Sequence, residues 1–98
     1  MLHEIHSVKS IRKIAPYTLE IIFEDSSSKI INFLPVLKGE MYGPLRNEEY
    51  FDKVKIDPEV RTIFWPNGAD YDPAVLYNWE HFVDELKRRS KDWELRTT

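Results

Sequence analysis

Asn67, Asp70 and Asp72 fall within six residues, and paired carboxylates beside an amide can hold a hard cation or share an acid–base step. A metal-dependent hydrolase on the 67–72 loop is the activity such a group would support. The spacing is not that of a calcium loop, which needs its glycine and a distal glutamate. Each residue also has a backbone use. Asp72 before Pro73 has the order of a helix N-cap followed by proline in the first turn. Asn67-Gly68 suits a tight reversal with positive φ, and Asp70 can accept N–H donors within the loop. The structural use explains all three residues and takes precedence, so no catalytic, metal-binding or cofactor-binding residue is assigned.

His3 and His6 point to opposite faces of an extended chain, and His81 stands alone on a helix, whereas a metal site needs several converging ligands. The absence of cysteine excludes a disulfide framework, a zinc–thiolate site and a cysteine nucleophile. The sequence also lacks a glycine-rich phosphate loop, a nucleophile elbow and a His-Glu-x-x-His pair. The expectation is a protein that is not an enzyme and carries no cofactor.

Macromolecular contacts offer more. Lys87, Arg88, Arg89 and Lys91 form one basic cluster, which could contact phosphates or simply complement a helix C-terminus. The net charge is −3, and residues 80–98 balance five acids against five bases, so nucleic-acid binding is the alternative rather than the preferred reading. Tyr17, Phe23, Phe33 and Phe64 could stack on bases, but in a small sheet they are expected in the core. Trp79 and Trp93, with Phe82 and Leu86 between them, give the C-terminal helix more apolar surface than a solvated tail requires. Trp79 and Phe82 are expected to face inward, and Trp79, Trp93, Arg88 and Arg89 are the candidate partner-binding residues. A protein partner or a second copy of the chain is the expected ligand.

The 98 residues that must position these groups amount to one domain. Residues 17–23 alternate Tyr17, Leu19, Ile21 and Phe23 against Thr18 and Glu20, the period of a half-buried strand, and 29–33 return. Ahead of them Ile5, Val8, Ile11 and Ile14 lie three apart, which predicts an irregular, bulged strand. Residues 35–43 read as a crossing loop. Asn47 before Glu48 and Glu49 predicts a short helix over 44–51. Asp57-Pro58-Glu59-Val60 predicts a type I turn between Val54–Ile56 and a strand over 61–65. From Leu76 onward the apolar spacing is helical. The fold class is α+β: a small curved antiparallel sheet of five strands, a three-stranded meander plus a hairpin, with a short middle helix and an amphipathic C-terminal helix. Residues 1–78 form the domain and 79–98 a helical extension packed on or beside it. No apolar run approaches the length of a membrane span, and the N-terminus lacks the pattern of a secretory signal, so a cytoplasmic location is expected.

The most distinctive run is Trp65-Pro66-Asn67-Gly68-Ala69-Asp70, followed by Pro73 and the Leu76-Tyr77 pair. It resembles the closing signature of a small bacterial family, domain of unknown function 2442. The strand ending at Phe23, the Gly43-Pro44-Leu45-Arg46 segment, Phe51 and the Val54–Asp57 strand occur in that family's order, so the resemblance covers residues 8 to 77. It implies a small α+β protein with no established catalytic residues. It also implies a genomic setting similar to toxin–antitoxin pairs, beside another small protein. Where the family turns on Asp-Gly, this chain has Asp25-Ser26-Ser27-Ser28, which predicts a longer, looser loop.

Overall fold

The computed structural model describes residues 6–85 and 87–88. Three antiparallel strands, β1 (Val8–Ala15), β2 (Thr18–Phe23) and β3 (Ser28–Asn32), form a sheet in the order β1-β2-β3. Alternation in β2 buries Leu19, Ile21 and Phe23, as expected for a strand with one wet face. β1 is bulged twice. Val8 pairs with Phe23 and Ile11 with Ile21, so three steps on β1 match two on β2; a second shift follows Lys13. The first extra residue lets Val8 and Ile11, three apart, both face inward. The second leaves Ile14 exposed.

β1 and β2 meet across Pro16-Tyr17, with Ala15 paired to Thr18. Proline supplies the first turn position, and Tyr17 takes a φ of 58° at the second, a place that glycine usually fills. Tyr17 stays there because its ring meets Phe51 edge-on at 5.6 Å and its hydroxyl donates to the Arg46 carbonyl. The sequence pattern extends the strand through Tyr17; the structure makes it a turn residue.

The predicted crossing loop is more ordered than expected. A 3-10 turn at Leu34–Val36 leads into α1 (Gly39–Tyr42), and a second 3-10 turn spans Gly43–Arg46. α2 (Glu48–Phe51) follows, and the Asn47 side chain caps it by accepting the Tyr50 N–H at 3.2 Å. β4 (Lys55–Ile56) and β5 (Ile63–Phe64) form a hairpin that is its own two-stranded sheet rather than a continuation of the first. Each strand ladders for two residues only, and the twisted edge of β1 meets the hairpin through Val8 N–H donating to the Arg61 carbonyl at 2.9 Å. The Asp57 turn is one residue longer than a type I turn. Arg61 N–H reaches the Asp57 carbonyl at 2.8 Å, with Arg61 at a φ of 62°.

α3 (Pro73–Tyr77) ends at Asn78, where φ and ψ of −111° and 37° break the helix, and helical structure resumes over 79–85 and 87–88. The expected continuous helix is therefore two. Trp79, just past it, is 8% exposed and enters the core. Its ring meets Phe33 at 5.3 Å and Tyr71 at 5.8 Å. Among the described residues no helix is long and apolar enough to cross a membrane.

Candidate functional site

The signature forms a hairpin turn. Gly68 N–H donates to the Trp65 carbonyl at 2.9 Å, and Trp65 N–H to the Ala69 carbonyl at 2.8 Å. Asn67 Oδ1 accepts the Ala69 N–H at 3.1 Å, and Gly68 takes a φ of 91°. These bonds describe a type I turn closed by one residue of positive φ, a place where glycine avoids steric cost. The turn is anchored inward by Trp65, which is fully buried. Its Nε1–H donates to the Phe51 carbonyl at 2.9 Å, and its ring meets Phe51 at 5.6 Å and Phe33 at 6.2 Å. Asn67 Nδ2 donates to the Met41 carbonyl at 2.9 Å, tying the turn to α1.

Asp70 acts differently from expectation. Its side chain is exposed, and it is its main-chain carbonyl that works, accepting the Tyr42 hydroxyl at 2.7 Å. Asp72 Oδ1 caps α3 by accepting the Ala74 N–H at 2.8 Å, with Pro73 in the first turn as expected. Among the described residues no group of three His, Asp or Glu side chains could hold a metal ion. His6 stacks on Tyr77 at 4.0 Å and His81 is exposed, while His3 lies outside the described residues.

Tyr71 and Tyr42 stack at 5.0 Å. Tyr71 is 5% exposed, and burial pushes its phenol far above the ordinary range, the neighbouring Tyr42 adding to the rise. Burial also raises the Tyr42 phenol, and the negative charge of Asp70 adds to it. Both rings therefore stay neutral in ordinary solution. The Tyr71 hydroxyl has no hydrogen-bond partner, the one such buried side-chain atom among the described residues. Thr62, the one buried polar residue there, donates its hydroxyl to the Tyr71 carbonyl.

Leu76 is fully buried, and Tyr77 reaches across to the β2–β3 turn, donating its hydroxyl to Asp25 Oδ2 at 2.7 Å. That turn is tighter than the sequence implies. Ser26 N–H donates to the Phe23 carbonyl, and Phe23 N–H to the Ser27 carbonyl, both at 2.9 Å, with Ser26 at a φ of 73°. Asp25 Oδ1 accepts the Ser27 N–H at 2.9 Å and its hydroxyl at 2.6 Å. The Ser27 hydroxyl, then the Tyr77 hydroxyl, then the Ser27 N–H hold the Asp25 carboxyl at about 2, below its ordinary value.

Of the candidate partner-binding residues, Trp79 closes the core rather than offering its ring to a partner, and Arg88 is exposed. Arg89 and Trp93 lie outside the described residues. Phe82 is half-buried. Phe23 and Phe33 are core and Tyr17 is half-buried against it, whereas Phe64, expected in the core, is only half-buried and alternates with the buried Ile63 and Trp65. Sequence reasoning missed Tyr42, Thr62 and Asp25. A signal for Asp25 was present: Phe23-Glu24-Asp25-Ser26 repeats the aromatic, variable, Asx, small-residue order of Trp65-Pro66-Asn67-Gly68.

No curated protein and no solved structure matches the chain. A family model described as protein of unknown function (DUF2442) matches residues 8–82, from β1 through the signature and into the helix that carries Trp79. The match takes in more than half of the 98 residues, and the chain belongs to that family.

Proposed function

We propose that this chain is a non-enzymatic protein-interaction or regulatory module, with a neighbouring small protein as its partner in the manner of an antitoxin. The observation that carries this reading is the outer face of the three-stranded sheet. There Ile30 is 65% exposed, opposite Glu20 on β2, and Ile22 is half-buried one step along β2 from the core-facing Ile21. Ile22 and Ile30 are diagonal neighbours across β2 and β3, so this face carries an adjacent apolar pair rather than a lone exposed side chain. The signature, by contrast, directs its polar groups to backbone: Asn67 to Met41 and Ala69, Trp65 to Phe51, Asp72 to Ala74.

Co-expression with the protein encoded beside it tests the reading. The two are expected to co-purify in a fixed ratio, and Ile22→Lys is expected to release the partner while leaving the melting temperature of this chain within a few degrees. Absence of a complex with that protein, together with purification as a lone monomer, would count against it.

A further inference from the structure

The two edges of the three-stranded sheet are built differently. β1 is bulged twice, carries Lys9, Arg12 and Lys13, and meets the second hairpin at Val8. Bulges and charges of this kind block strand addition. β3 is not bulged: its register with β2 runs without a shift from Thr18·Asn32 to Ile22·Ser28, and it carries one charge, Lys29, against three on β1. Phe33 N–H donates to the Tyr17 carbonyl and Phe23 N–H to the Ser27 carbonyl. In this register Leu19·Ile31 and Ile21·Lys29 are therefore the hydrogen-bonded pairs, and the main-chain groups of Ser28, Ile30 and Asn32 turn outward. Lys29, the charge on this strand, is drawn away to Glu80, with Nζ 2.5 Å from Oε1.

We propose that β3 pairs antiparallel with β3 of a second copy about a two-fold axis through Ile30, joining two sheets into one of six strands. The inference rests on the interaction reading above and names a second copy as the occupant of this edge. Self-pairing fits on three counts. An axis at Ile30 sets Ile30 against Ile30 and Ser28 against Asn32, so apolar meets apolar and polar meets polar along the outward-turned groups. Each copy brings one cation and one anion, Lys29 and Glu80, to the inner side of the seam, a set with no net charge. With β1 blocked, β3 cannot add to the opposite edge of another copy, so the contact is isologous and closes at two chains instead of growing a filament.

The chain contains no cysteine, which makes a single-cysteine test clean. An axis through Ile30 places the two Ile30 Cα atoms about 5.5 Å apart, within the range a disulfide spans. Ser28 would lie about 14 Å from its twin. Under mild oxidation Ile30→Cys is expected to give a covalent dimer that melts like the parent, and Ser28→Cys is not. In sedimentation the parent chain is expected to dimerise with rising concentration. Ile30→Pro is expected to move that midpoint at least tenfold higher while keeping the circular dichroism of the parent, because the Ile30 N–H is not donated to β2 and proline is tolerated on such an edge. Equal cross-linking at both positions, or a parent chain monomeric at every concentration, would overturn the proposal. A monomer that still co-purifies with its neighbour's product would overturn self-pairing and leave the interaction reading standing; a monomer that binds neither would remove both.

Discussion

The turns at Phe23–Ser27 and Trp65–Ala69 are the same structure twice. Each begins at a buried aromatic residue, closes with two main-chain bonds, caps itself with an Asx oxygen, and places its fourth residue at positive φ. Each Asx side chain then uses its remaining atom as a tether: Asn67 donates to the Met41 carbonyl next to α1's end, and Asp25 accepts from Tyr77 at the end of α3. All five residues differ between them, and two of the differences set strain and charge. Gly68 stands where the other turn has Ser26, and neutral Asn67 where it has ionised Asp25. Both tips are exposed, but the Trp65 turn, anchored by the core's largest fully buried side chain, is built without backbone strain or charge, while the Phe23 turn tolerates both. The family signature marks the strain-free copy, which suits a region whose work is to hold the core together.

The largest effect expected from breaking this pair is at the anchor. Trp65→Ala should cost about 3–5 kcal/mol, since it empties a buried site and removes the donor to Phe51. Chemical denaturation would show it as loss of most of a small domain's stability. Next comes the fourth residue. Gly68→Val should cost about 2 kcal/mol: open space surrounds the position, so the penalty is that of a β-branched residue at a φ of 91°. The reverse exchange, Ser26→Gly, should gain about 0.5–1 kcal/mol, the relief of positive φ less the added freedom of the unfolded chain. Equal and small effects of both substitutions in thermal melts would erase the distinction between the turns.

The charge difference gives the smallest effect and the most selective one. Asp25 titrates in the folded chain at about 2, against an ordinary value of 3.8. Its lowered value means its contribution is present above about pH 4 and is lost as pH falls toward 2. Asn67 does not titrate. The melting temperature of the parent should therefore fall more steeply across that window than that of Asp25→Asn, whereas Asn67→Ala should lower stability by the same amount at both ends of it.

Much of this architecture was legible in the residues. Period-two alternation placed β2, three-residue spacing announced the bulges of β1, and Asn47, Asp72-Pro73 and Asn67-Gly68 marked caps and a turn through well-defined local chemistry. What escaped was decided by distant contacts. Tyr17 sits at positive φ because Phe51 and Arg46, some thirty residues away, hold it there. α1 and its flanking 3-10 turns have weak local signals and are held by Leu37, Leu45 and Tyr42 packing onto the core. The break at Asn78 lets Trp79 turn down onto Phe33 and Tyr71, a choice that helical spacing alone could not express. At the signature, the sequence indicated the backbone roles of Asn67, Gly68 and Asp72 but gave the Asp70 side chain the loop's N–H donors, whereas it is the Asp70 carbonyl that bonds, to the distant Tyr42 hydroxyl.

Amide hydrogen exchange, followed residue by residue over a range of protein concentrations, tests the central claim most directly. The amides of Trp65, Gly68 and Ala69, all bonded within the signature turn, should exchange only through global unfolding and independently of concentration. The Ile30 amide should exchange fast when dilute and become protected as chains pair. Rapid exchange throughout the signature turn, with an Ile30 amide unaffected by concentration, would contradict the account.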